Sequence, residues 1–253
     1  MKPSATGRIL LWRGGSLWIG LAGVPAGFHS HHAVQIALPF EGARVRFQTP
    51  SADWVTYDAA IVAAEQPHAF DGRDRFMAQI FVEPESRAGR ELQRRYRSGG
   101  VVALDTEAIR SNIAALALAY DRRVENTELI ELAKATIARL AGTTPTPPNP
   151  PDKRVELAIE HIRNRLNQTI SLKSLAAAVH LSPDRFRHLF IEETGIGLRP
   201  YVLWLRLERS LGEYVGGASL TDAAHAGGFA DSAHLSRTFK RMFGISPASV
   251  RPE

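Results

Sequence analysis

The sequence predicts a two-domain α+β protein: a small N-terminal β-barrel with a helical hairpin, then an all-α domain. Three observations predict it. Short Val-, Ile- and Phe-rich segments fill the first third of the chain. Apolar residues then recur at helical spacing to the end. Between the two halves lies Pro145-Thr146-Pro147-Pro148-Asn149-Pro150-Pro151, in which five of seven residues are proline.

Composition sets the bounds. At 44% hydrophobic and 23% charged over 253 residues, the chain has the balance of a globular protein with material for more than one core. It has no cysteine, which excludes disulfides and Cys-based zinc sites. The N-terminal MKPSATGRILLWRGG lacks a sustained apolar core, so no signal peptide is expected. No run approaches the ~20 apolar residues of a membrane span. A cytoplasmic protein with no membrane partner is the expectation. A net charge of +5 permits a nucleic-acid partner without requiring one.

The strands come first. Leu17–Leu21, Ala33–Leu38, Val45–Gln48, Ala59–Val62 and Phe76–Phe81 are short, broken by Gly, Pro or Asp, and evenly spaced. That is the pattern of a small antiparallel barrel or sandwich. The period changes at 87–97 and 106–141. Ile109, Ile113, Leu116 and Tyr120 make one helical stripe; Leu129, Leu132, Ala133, Ile137 and Leu140 make the next. These stripes need a partner, either the barrel or a second copy, so 106–141 is a candidate homodimer interface. The proline stretch can neither continue a helix nor enter a sheet interior. The expected domains are 1–142 and 152–253, joined by a semi-rigid linker at 143–151.

Past the linker, Val155, Ile159, Ile162 and Leu166 form a stripe, with Asp152 placed to cap its helix. A stronger pattern then occurs twice. In the first copy Ser171 caps a short helix with Leu172, Leu175, Ala176 and Val179 on its inner face. A turn follows at His180-Leu181. Ser182 caps the next helix and Pro183 takes its first position, where the missing N–H costs nothing. In the second copy Ser219-Leu-Thr-Asp222 resembles a capping box, Ala223 and Ala224 supply small inner positions, and Gly227-Gly228 provides the turn. Phe229 plugs the core before the helix that Asp231 and Ser232 begin. Leu172 and Ala176 match Leu220 and Ala224, 48 residues on, while Phe190 and Gly195 match Phe239 and Gly244, 49 on. The second turn therefore holds one extra residue. A repeated helix-turn-helix unit is a supersecondary repeat rather than a chance similarity.

The faces of each second helix follow from the three–four rule. Phe186, Leu189 and Phe190 point inward in the first; Leu235, Phe239 and Met242 do so in the second. That leaves Asp184, Arg187 and His188 outward on one helix and Ser232, Ala233, Ser236 and Arg237 on the other. Such helices fit the ~12 Å major groove of double-stranded DNA, where each arginine can bond a guanine twice. Ser182, Lys240 and Arg241 suit phosphates. The helix expected over Leu198–Tyr214 is a rod of roughly 25 Å. It can hold two reading helices about one DNA turn, ~34 Å, apart.

Residues 153–251 resemble the AraC/XylS family of transcription regulators. The string from Gly228-Phe229 through Asp231, Arg237, Phe239-Lys240 and Phe243-Gly244 to Pro247 carries that resemblance. It implies a seven-helix DNA-binding domain and activation through contact with RNA polymerase. Two departures stand out: His180 replaces the usual turn glycine, and Val250 replaces a usual aromatic.

Residues 1–100 resemble the cupin-like sensor domain of many such regulators. His29-Ser-His31-His32, then Gln35 to Gly42, and later Glu65-Gln-Pro-His68 carry that likeness. It implies a domain that senses a small-molecule effector, with an apolar pocket among Trp54, Tyr57, Phe47 or Phe81. His29, His31, Glu41 and His68 are the candidate metal or effector ligands the resemblance implies. The expectation is no cofactor, with a metal at those four as the alternative. No Ser-His-Asp set or Gly-rich phosphate loop is evident, and a non-enzyme is expected. The rivals are a metal-dependent cupin enzyme with a DNA-binding tail, and an interaction protein that keeps the fold without DNA affinity.

Overall fold

The computed structural model describes residues 5–96, 100–142 and 151–252. Of the expected linker 143–151, all but Pro151 lies outside the described residues. The chain divides into two compact units, Met1–Pro147 with Phe239–Glu253, and Pro148–Thr238. The expected domain 152–253 is therefore cut within its last helix. The reason is aromatic. In the first unit the rings of Phe243 and Phe239 lie 4.9 and 6.2 Å from that of Trp18.

The first unit holds strands β1 (Ala5–Trp12), β2 (Gly15–Ala22), β3 (Ala26–His29), β4 (Val34–Pro39), β5 (Val45–Thr49), β6 (Ala52–Tyr57), β7 (Ala60–Val62), β8 (His68–Asp71), β9 (Arg75–Val82), β10 (Val101–Ala103) and β11 (Val250–Pro252). One sheet runs β10-β7-β4-β9-β2-β1-β11 and the other β3-β8-β5-β6. All pairs are antiparallel except β1 with β11. Among the described strands the two sheets share no ladder, so this is a two-sheet sandwich rather than a closed barrel.

β4 shows how sequence and layer correspond. Val34, Ile36 and Leu38 face one core, and Ala37 faces the other, so the strand is buried on both sides. The inter-sheet core joins Ala37, Val62 and Met77 to Val45, Phe47 and Phe70 of the smaller sheet.

Helices α1 (Arg87–Arg95), α2 (Thr106–Asp121) and α3 (Asn126–Ala141) complete this part. Asp105 caps α2, accepting from the N–H groups of Glu107 and Ala108. The stripes of α2 and α3 find their partner in the larger sheet. Ile109, Leu116, Leu129, Ala133, Ile137 and Leu140 are buried in the same core as Val34 and Ile36. The hairpin thus buries its apolar faces without a second copy.

The second unit contains α4 (Lys153–Arg163), α5 (Leu172–Ala178), α6 (Pro183–Thr194), α7 (Leu198–Val215), α8 (Leu220–Ala226) and the start of α9 (Ser232–Phe243). Asp152 caps α4 through the Arg154 N–H. Val155, Ile162 and Leu166 are buried with Leu175, Phe186, Phe190 and Tyr201. Each such side chain contributes roughly 1.5–3 kcal/mol on burial. No helix among the described residues is long and apolar enough to cross a membrane.

Candidate functional site

The two repeated units form as the caps dictate. Ser171 accepts from the Ser174 N–H and starts α5. The chain then reverses through His180, which adopts φ 57°, and the Leu181 N–H bonds the Ala176 carbonyl at 2.9 Å. Ser182 caps α6 by accepting from the Arg185 N–H, with Pro183 in the first turn. In the second unit Ser219 accepts from the Asp222 N–H and also donates to the Asp222 carboxylate at 2.6 Å. The Phe229 N–H bonds the Ala224 carbonyl at 2.9 Å, the same turn bond 48 residues later. Asp231 accepts from the His234 N–H at 2.6 Å and so caps α9.

The repeat places the extra residue. His180 and Gly228 both take positive φ, and the turn bonds keep an offset of 48. The caps Ser182 and Asp231 are 49 apart, so the insertion is Ala230, after the turn. The two turn glycines do different jobs. Gly228 supplies φ 78°. Gly227 has an ordinary helical backbone, but a Cβ there would meet Ser210 Oγ at 1.9 Å and the Arg206 carbonyl at 2.6 Å. It lets α8 approach α7.

The expected reading faces are outward. Asp184, Arg187 and His188 are exposed on α6, with Phe186 and Phe190 buried behind them. On α9, Ala233 and Arg237 are exposed and Ser232 and Ser236 half-buried. Lys240 and Arg241 are exposed three and four residues beyond Arg237, on the same side of the helix. One inward assignment changes: Phe243 is buried and Met242 only half-buried, because Leu235, Phe239 and Phe243 form a single i, i+4 ridge. The Ser182 hydroxyl accepts the cap bond, which leaves its O–H free to donate to a phosphate.

The histidines of the first unit converge, without Glu41. The register pairs His29 directly with His68 across β3 and β8, and their rings lie 4.2 Å apart. His31 lies 5.3 Å from His68. One nitrogen from each of the three falls within 4.8 Å of the others. Glu41 is exposed in the turn after β4, with φ 54°, and is not part of this group. Its place is taken by Gln35, whose Oε1 lies 3.1 Å from His31 Nε2 and 3.0 Å from His68 Nε2. The period-two pattern of β4 puts Gln35 on the inter-sheet face with Ala37, a signal the sequence carries beside the more conspicuous carboxylate of Glu41.

Burial holds these imidazoles neutral. It lowers His29 to about 4, with the His31 charge adding to the effect. It lowers His31 and His68 likewise. His32 goes the other way: burial lowers it, but hydrogen bonds to Glu65 and Glu85 outweigh that and raise it to about 9.

A cavity of about 90 Å³ adjoins this cluster, lined by Trp18, Ile19, His29, Gln35, Gln79 and Phe81 among others. Of the four aromatics expected to line a pocket, Phe81 does. Phe47 and Tyr57 instead contact each other, ring to ring, at 6.0 Å, and Trp54 is exposed on β6 beneath Arg46. β6 is exposed on both faces from Ala52 to Thr56, so among the described residues nothing packs over Trp54 but the Arg46 guanidinium.

Comparison with known proteins agrees with the helical pattern. Residues 175–253 match a family described as a helix-turn-helix domain. The Msm operon regulatory protein of Streptococcus mutans is 27% identical over 95 residues, 36% of this chain and 34% of that protein. The HTH-type transcriptional regulator YijO of Escherichia coli is 31% identical over 93 residues, 36% of this chain and 33% of that protein. The match thus spans about a third of these relatives' length. Among solved structures, ToxT from Vibrio cholerae is similar with a TM-score of 0.56 at 10% identity, covering 92% of this chain and 96% of that one. ToxT with a bound unsaturated fatty acid gives 0.55 at 11% identity, covering 92% of each chain. At that identity the likeness is one of fold.

Proposed function

We propose that this chain, whose C-terminal part is a helix-turn-helix domain of the AraC type, is a sequence-specific DNA-binding transcription regulator. In this reading α6 and α9 enter two successive major-groove segments. The observation that carries it is the repeat itself. The same caps and turn bond recur 48 to 49 residues apart, joined by an 18-residue α7. That rod is about 27 Å long, close to the ~34 Å between neighbouring groove segments on one face of DNA.

Roles follow from side-chain chemistry. Arg187 and Arg237 bond guanine edges twice; Asp184, His188, Ser232, Ala233 and Ser236 complete the base-reading surfaces. Ser182, Lys240 and Arg241 hold phosphates, and removing either cation lowers the salt dependence of binding by about one unit of slope. Contact with RNA polymerase, activation, and action in the cytoplasm belong to the same reading. No enzymatic role is assigned. A homodimer through 106–141 would use the outer face of α2, where Leu118 is 49% exposed.

The first unit is the sensor. Its cavity is mostly apolar with polar groups at Gln35 and Gln79, which suits a small apolar molecule carrying one polar head. The fatty acid named with ToxT belongs to that class. Pockets for drug-sized ligands run ~300–1,000 Å³. At about 90 Å³ the present cavity must open to admit one.

Selection of bound duplexes from a random pool tests the reading. It predicts a defined sequence that Arg187→Ala and Arg237→Ala each relax, at ~1–3 kcal/mol per bidentate contact. Recovery of no preferred sequence, or of an unchanged one from both variants, defeats it.

A further inference from the structure

The outer face of the larger sheet carries an inference independent of DNA binding and of the histidine cluster. Helix α1 lays Leu92 into the core on this face, where it is fully buried. Its Arg90, Gln93 and Arg94 stand three and four residues apart and so share a different side of the helix. All three line a cavity of about 510 Å³. The facing wall is apolar. Val102 pairs with Ile61 across β10 and β7, and both line the cavity with Val34 of β4. Tyr96, half-buried just after α1, lines it too.

The charges around this space have one sign. Of the described residues that line it, the charged ones are Arg90 and Arg94, and no carboxylate joins them. Both guanidinium forks are held in place. Arg94 donates through Nε and Nη2 to Glu91 Oε2 at 3.1 and 3.0 Å, and Arg90 Nε donates to the Glu85 carbonyl at 3.1 Å. Gln93 Nε2 donates to the Pro84 carbonyl at 3.1 Å. A guanidinium has five N–H donors, more than these bonds use, and its planar fork matches a carboxylate. The buried Glu91 offsets one of the two charges, so the lining stays net positive.

Fixed cations opposite an apolar wall fit an amphiphile. We propose that this cavity binds a small organic anion, a flat apolar body carrying one carboxylate. The body lies on Val34, Ile61 and Val102, and the carboxylate meets Arg90 and Arg94. Size favours the same occupant. Sites for drug-sized molecules run ~300–1,000 Å³. This cavity therefore takes such a molecule as it stands, whereas the 90 Å³ space beside the histidines does not.

The competing arrangement holds only water. The aliphatic stems of the two arginines would then cover the apolar wall with their heads in solvent. Isothermal titration of the full-length chain separates the two, with 1-naphthaleneacetate as the probe and its neutral amide as the reference. One acid should bind per chain, about tenfold tighter than the amide, because a bond between charged groups contributes more than a neutral one. Arg90→Gln and Arg94→Gln should each bring the acid toward the affinity of the amide. Val102→Trp fills the cavity from β10 and should weaken both ligands. Arg75→Gln, at an exposed arginine on the end of β9 away from Val34, should change neither. The comparison of acid with amide needs no substitution, so it decides even where a variant fails to fold. No binding of the acid, equal affinity for acid and amide, or acid binding unchanged in folded Val102→Trp or in both folded arginine variants each overturns the proposal.

Discussion

Replacing Gly227 by alanine should destabilise the helical unit, although alanine is the better helix former. Gly227 has φ −79°, which any residue adopts, so the cost is steric. The added Cβ would lie 1.9 Å from Ser210 Oγ and 2.6 Å from the Arg206 carbonyl. The hydroxyl can rotate away; the carbonyl is α7 backbone and cannot. Reaching ordinary contact requires α8 to move about 0.8 Å from α7, within the range where overpacking costs ~1–3 kcal/mol. Alanine returns ~0.4–1 kcal/mol by restricting the unfolded chain. The net loss is about 1–2 kcal/mol, or roughly 4–8 °C of melting temperature per kcal/mol for a domain of this size. Gly212, inside α7, provides the opposite case: a Cβ there meets nothing within 4 Å. Gly212→Ala should gain about 0.5–1 kcal/mol. Urea titration with an unchanged m-value reads both. Ser210→Ala combined with Gly227→Ala should recover part of the loss, because the carbonyl conflict persists. Equal stability of Gly227→Ala and wild type would refute the close approach of these helices.

Three further outcomes follow from single residues. His180→Gly should raise the unfolding free energy by up to about 1 kcal/mol, read as a higher urea midpoint, since an exposed histidine at φ 57° carries left-handed strain that glycine lacks; a lower midpoint would contradict that turn. Asp231→Ala removes the cap on α9 and should cost about 1 kcal/mol in the same titration, against none if the His234 N–H finds another acceptor. Asp71 is gripped by Arg73 through two bonds near 3.0 Å and by Arg46 at 2.6 Å, and Arg73 foremost holds its carboxyl well below the usual range. A depressed carboxylate contributes stability above its unfolded value near 3.8 and loses it as pH falls below that. The melting temperatures of wild type and Asp71→Asn should therefore converge below about pH 4; a gap that stays constant there would exclude the linkage.

The helical unit was legible because its signals are local. Caps at Ser171, Ser182 and Ser219 and the repeat offset need only near neighbours, and each forms the expected bond. The sandwich was half legible. β2, β4, β5, β7 and β9 announce themselves by apolar content, whereas β3 and β8 are only four residues each, mix Ala and Phe with His, Gly or Asp, and pair through a register that sequence does not display. The site at their crossing suffered accordingly. Sequence nominates three histidines, and the period of β4 offers Gln35, but only the packing of the two sheets shows that its side chain, not that of Glu41, meets them. The end of α9 illustrates the same limit: Phe239 reads as core but the pattern predicts Met242 where Phe243 is buried, and only tertiary contact assigns the partner of both rings, Trp18.

The most direct test of the central claim asks which half of a selected duplex each reading helix contacts. Binding of the wild-type chain and the single Arg187→Ala and Arg237→Ala variants to every one-base change in that duplex answers it. If α7 is a rod holding two readers, the variants relax different positions, centred ~10 base pairs apart, and inserting five base pairs between them abolishes tight binding. Relaxation of the same positions by both variants, or tolerance of the insertion, would contradict a chain that reads two successive grooves.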